Sequence, residues 1–92
     1  MMFEFKTPLP QYRCHKVVGA LKIKKMERAG DRFNLHWLVH FEDESRAPLA
    51  MTDNWVNQHK VVEGGYLVQY SDEYVSFSPA KAFEEGYTRI ES

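Results

Sequence analysis

The chain has 92 residues, 43% of them hydrophobic and 14% aromatic, with a formal net charge of −1 and one cysteine. That is one domain's worth of sequence with enough apolar content for a compact core, which argues against wholesale disorder. It excludes a disulfide-stapled scaffold, and no apolar run is long enough to span a bilayer.

The small net charge hides a division. Residues 1–32 carry eight basic residues against three acidic, a net +5, whereas residues 33–92 carry four against ten, a net −6. Two readings stand: a structural one, in which ion pairs join the halves or each is merely a solvated face, and a functional one, in which the division marks a polar interaction surface.

In chain order, residues 1–11 read as an extended N-terminal arm, punctuated by Pro8 and Pro10, with Phe3 and Phe5 available to dock on a neighbouring face. The Glu4-containing start lacks the apolar stretch of a signal peptide. Lys16 to Arg28 is rich in branched aliphatics and predicts a long strand, in which Gly19 signals a bulge or a close backbone approach. Phe33 to Phe41 predicts a second strand by strict alternation, with Phe33, Leu35, Trp37, Val39 and Phe41 on one side. A three-residue Ala29-Gly30-Asp31 loop pairs position 23 with 37 and 21 with 39. The alternative two-residue turn would place Lys22 and Lys24 on the apolar side, at a high desolvation cost. The outward face then carries Lys22, Lys24, Arg28, Arg32, His36 and His40.

Glu42 to Ser45 predicts an acidic loop. Thr52 caps a helix from Asp53 to about Lys60, with Met51 and Val56 at the spacing of a hydrophobic staple. Gly64-Gly65 breaks the chain before the most legible stretch. Tyr66, Val68 and Tyr70 alternate along one strand, Ser71-Asp72-Glu73 turns it, and Tyr74 to Phe77 returns. Ser78 suits a helix N-cap, Pro79 the first helical position and Gly86 a left-handed stop. The predicted order is β-β-α-β-β-α. The fold class is α+β: a mostly antiparallel four-stranded sheet of two hairpins, with two short helices on one face.

Catalytic and metal signatures are missing. His36 and His40 share a strand face, but four residues at about 3.3 Å each hold them roughly 13 Å apart. Cys14 and His15 would point to opposite sides of a strand. No ligand spacing, nucleophile motif or phosphate loop occurs, so neither an enzyme nor a cofactor is expected. Glu84-Glu85 and Asp72-Glu73 fall at solvated ends of elements.

The outward cations Lys22, Lys24, Arg28 and Arg32 are spaced to follow a phosphate backbone or an acidic protein surface. Inward-facing aromatics on the same strands deprive that plate of the stacking partners of a single-strand binder. Of Tyr66, Tyr70, Tyr74 and Tyr87, most suit the core edge, and one or two suit a protein interface.

The segments YRCHKVVGALKI and GGYLVQYSDEYVSFSPAKAFEEGYTRI resemble a set of small phage- and prophage-encoded proteins. The chain as a whole is similar to the phage type I-F anti-CRISPR proteins. Residues 12–28 and 64–90, about half of the chain, carry the shared motifs. The cassette turn is commonly Asp-Gly in that family and is Asp72-Glu73 here, which leaves the turn type open.

The resemblance implies a non-enzymatic inhibitor, acting in the bacterial host cytoplasm, that binds subunits of the type I-F RNA-guided surveillance complex and blocks target DNA. It implies no cofactor, membrane or small-molecule substrate. With it, Lys22, Lys24, Arg28 and Arg32 would meet guide RNA phosphate, and Glu42, Asp43, Glu44, Glu84 and Glu85 a basic partner surface. The alternative expectation is a phage accessory protein that binds free nucleic acid directly.

Overall fold

A computed structural model describes residue 5, residues 7–13 and residues 17–90. The expectations for Phe3, Cys14 and His15 therefore lie outside the described residues. The strands are β1 (Gln11–Arg13), β2 (Val17–Ala29), β3 (His36–Phe41), β4 (Leu49–Thr52), β5 (Tyr66–Gln69), β6 (Val75–Ser78) and β7 (Thr88–Arg89). The helices are α1 (Asp53–His59), between β4 and β5, and α2 (Ala80–Gly86), between β6 and β7. The class is α+β, as the sequence predicts, but the antiparallel sheet has seven strands rather than four.

β2 organises the sheet. Its N-terminal half pairs with β1 and β5, and its C-terminal half with β3. At about 3.3 Å per residue, its 13 residues are long enough to match the 41 Å longest extent of the molecule.

The helices cover opposite faces rather than one. Leu21, Ile23 and Leu67 face Trp55 and Val56 of α1, whereas Val18, Ala20, Tyr66 and Val68 face Phe83 of α2. The reason is visible in the residues: Val18 to Leu21 and Tyr66 to Val68 are unbroken buried runs. A strand apolar on both faces must be covered on both. Each fully buried aliphatic, Ile23, Val39, Leu67 and Val75 among them, contributes about 1.5–3 kcal/mol.

The β2–β3 register departs from the predicted one. Ile23 pairs with Phe41, a bulge follows, and Lys25, Met26 and Arg28 pair with His40, Val39 and Trp37. The connection spans residues 30–35 because Asp31 builds it locally. Its carboxylate accepts the backbone N–H of Phe33 at 2.9 Å and of Asn34 at 3.0 Å, and Gly30 turns the chain at φ 82°. An Asx-turn of this kind competes with the ladder and shortens the second strand. Phe33, predicted to face inward, is 85% exposed.

The predicted N-terminus of α1 holds: Thr52 Oγ1 accepts the N–H of Trp55 at 3.1 Å, and Met51 and Val56 are both buried. α2 differs at both ends. Ser78 belongs to β6, Pro79 is the cap residue without a side-chain bond, and the helix stops at an extended Tyr87 instead of a left-handed Gly86. Gly19 marks a close approach, since a Cβ there would lie 2.9 Å from Leu9 Cβ. The arm ends in the core: Leu9 is buried, Phe5 packs beside it, and Pro10 O accepts the N–H of Ala20 at 2.9 Å.

The cassette turn is settled by Glu73. Its N–H donates to Tyr70 O at 2.9 Å, and the residue adopts φ 68°, the left-handed position that glycine fills without strain. Left-handed backbone costs a non-glycine residue roughly 1 kcal/mol, partly offset by the greater unfolded-state freedom of glycine. Glu73→Gly is therefore expected to stabilise the domain by about 0.5 kcal/mol, measured as a rise in the urea midpoint at unchanged slope.

Candidate interaction surface

The structure separates the four predicted cations into two pairs. Lys22 Nζ lies 3.1 Å from Glu84 Oε2, and Lys24 Nζ lies 3.0 Å from Glu44 Oε1. Two residues of the predicted basic plate are thus joined to two of the predicted acidic surface. Of the two readings of the charge division, ion pairing between the halves accounts for these four side chains. Arg28 and Arg32 are different. Each lies over an aromatic ring, Trp37 at 5.6 Å and Phe33 at 5.1 Å, and neither makes an ion pair among the described residues.

The bulge between Ile23 and Lys25 explains the separation. It inserts one residue, so alternation is broken and Met26 joins Ile23 on the α1 side. Arg28, two residues on, follows Met26 to that side and leaves the predicted outward plate. The outward face of the hairpin carries Lys25 and Glu27 opposite His40 and Leu38, with Ala29 opposite His36. The plate of Lys22, Lys24, Arg28 and Arg32 on a single face does not form.

The acidic residues are similarly divided. Asp43 is exposed but engaged within its own loop: its carboxylate accepts from Ser45 Oγ at 2.6 Å and Ser45 N at 3.1 Å, with Arg46 Nε 3.7 Å away. The Ser45 bonds first, and Arg46 second, hold Asp43 below the usual carboxylate range. Glu44 raises the ammonium of Lys24 chiefly through its hydrogen bond. Glu42 and Glu85 make no ion pair among the described residues.

Glu84 sits in a small network on the α2 side. It accepts from the Tyr66 hydroxyl at 2.7 Å and from Lys22 at 3.1 Å, with Lys22 over the Tyr66 ring. The Tyr66 bond, followed by the Lys22 bond, holds Glu84 below its ordinary range, whereas burial and then Glu84 push the Tyr66 phenol up. A carboxylate with a lowered folded pKa stabilises above its unfolded pKa, and this is lost as pH falls through the folded value. A phenol with a raised folded pKa stabilises below its unfolded value and loses this as pH rises through the folded one. Melting temperature against pH is therefore expected to fall at both extremes. Glu84→Gln should flatten the acid limb, and Tyr66→Phe should flatten the alkaline limb.

Arg46 escapes sequence reasoning, yet it ties the acidic loop to the arm. Its guanidinium donates to Thr7 O at 3.3 Å and to Pro8 O. A lone arginine directly after an acidic run was the available signal. Among the described residues, no three metal-ligating side chains converge, and no helix is long and apolar enough to cross a membrane.

The fold and surface define a small α+β domain whose longest hairpin ends in two arginines and two aromatic rings. No family model, curated protein or solved structure matches the chain.

Proposed function

We propose that the protein is a non-enzymatic inhibitor that works by binding the type I-F RNA-guided surveillance complex in the cytoplasm of a bacterial host, with the end of the β2–β3 hairpin as its leading contact. The observation that supports the contact is the pairing of Arg28 with Trp37 and Arg32 with an 85% exposed Phe33. Arginine and aromatic side chains are those that dominate binding at interface centres. The target is drawn from the likeness of the chain as a whole to phage type I-F anti-CRISPR proteins. Guide RNA phosphate is the ligand for the arginines, and Glu42 and Glu85, which make no ion pair among the described residues, meet a basic subunit surface.

A second reading, direct binding of free nucleic acid, is favoured by Phe33, because an exposed ring beside arginines can stack on a base. Two measurements separate them. Pulldown from a type I-F host lysate should retain the assembled complex, and a gel shift with free DNA and RNA should show little binding at physiological salt. Strong retardation of free nucleic acid with a steep negative salt slope, and no capture of the complex, would move the assignment to the second reading.

A further inference from the structure

We propose that the cavity between the outward side of the β2–β3 hairpin and the 42–48 loop is a phosphate-binding site whose lysines are held by the chain's own Glu44 and Glu27, beside an Arg46 that Asp43 and the arm carbonyls position. The cavity, about 300 Å³, is lined by Lys24, Lys25, His40 and Arg46 together with Glu44. Lys24, Lys25 and Arg46 place three cations and an imidazole on one concave surface, against one, two and none in three other cavities among the described residues.

Carboxylates occupy the positions where phosphate oxygens would bind. Glu44 Oε1 lies 3.0 Å from Lys24 Nζ, and Glu27 Oε1 lies 2.6 Å from His40 Nε2 and 3.7 Å from Lys25 Nζ. The Glu27–His40 contact is close but not aligned as a hydrogen bond, and it leaves that buried imidazole nitrogen without a hydrogen-bond partner. Glu44 is the movable member. Its side chain is 79% exposed, and an exposed ion pair of this kind adds little to stability. Inorganic phosphate offers more acceptor oxygens to the same cations than a single carboxylate does, and a backbone phosphodiester, free of the Glu44 tether, can bridge them with its two non-bridging oxygens. Displacing Glu44 exchanges one ion pair for several.

The site rests on the proposed function only for the source of its phosphate, which a polynucleotide backbone or a free phosphate could supply. The test is an NMR titration of the isotope-labelled full chain at low salt, with inorganic phosphate in one arm and a ten-residue oligouridylate in the other. Saturable shifts at Lys24, Lys25 and His40 are expected in both arms, with the tighter oligonucleotide identifying a polynucleotide source. Glu44→Ala should tighten binding about 3–10-fold, and Lys24→Ala should weaken it by more than tenfold, each with the dispersion of the folded spectrum retained. An unchanged affinity in Glu44→Ala, or shifts confined to Arg28, Arg32 and Phe33, would overturn the assignment. Repeating the titration with Arg28→Glu/Arg32→Glu keeps the two claims apart: shifts at the cavity should persist in a variant whose hairpin end is disabled.

Discussion

Gly65→Ala is expected to destabilise the domain by about 2–3 kcal/mol, a large fraction of the stability of a domain this size. A Cβ at Gly65 would fall on the ring of Phe77, meeting its Cζ and Cε1, and would lie 2.9 Å from the backbone oxygen of Ser78. The ring cannot retreat freely, because Phe77 packs against the α1-side core. Nor can the backbone move away: Gly65 O accepts the N–H of Ile23 at 2.8 Å, and Gly64 N donates to Ile23 O at 2.8 Å. These bonds fix the segment to the middle of β2, where the bulge begins. For a domain of this length the loss corresponds to a fall of roughly 10–20 °C in melting temperature. A cycle with Phe77→Leu isolates the steric part. The double variant should cost less than the sum of the two single ones, by about 1 kcal/mol, while the Ser78 contact keeps it below wild type. Strict additivity would show that the ring is not the obstacle.

Some of this architecture was legible because single residues carry it. Thr52, Met51 and Val56 announce α1, and the alternation of Tyr66 and Val68 announces the β5 face that α2 covers. The α+β class follows from such local signals. The features that escaped depend on competition between local and long-range bonding. Asp31 takes two backbone N–H groups for its own turn and converts a predicted strand start into a loop. The bulge after Ile23 has no marker of its own, since neither Lys24 nor Lys25 is a turn residue, and it alone moves Arg28 off the outward face.

Glu63 helps to hold that break from another element: its carboxylate accepts the N–H of Met26 at 2.8 Å. Two-sided burial was readable in principle from the unbroken Val18–Leu21 run, whereas alternation elsewhere in the chain favours a one-sided cover. The charge halves were visible as counts. Their pairing, Lys22 with Glu84 across 62 positions and Lys24 with Glu44 across 20, required the topology. The candidate surface shrank accordingly from four cations to two, and it gained two aromatic rings.

The measurement that bears most directly on the hairpin end is the affinity of purified type I-F surveillance complex for wild type and for Arg28→Glu/Arg32→Glu. Reversing two charges that meet phosphate should cost about 1–2 kcal/mol each, on the order of 100-fold together. The two cation–ring interactions that this variant removes are worth about 0.5–1 kcal/mol each, so melting temperature should fall by roughly 5–15 °C. Lys22→Gln, which removes an ion-paired cation on the α2 side, should bind within about threefold of wild type, a difference of less than 1 kcal/mol. An affinity for the double variant equal to wild type, in a protein that still melts cooperatively, would contradict the account.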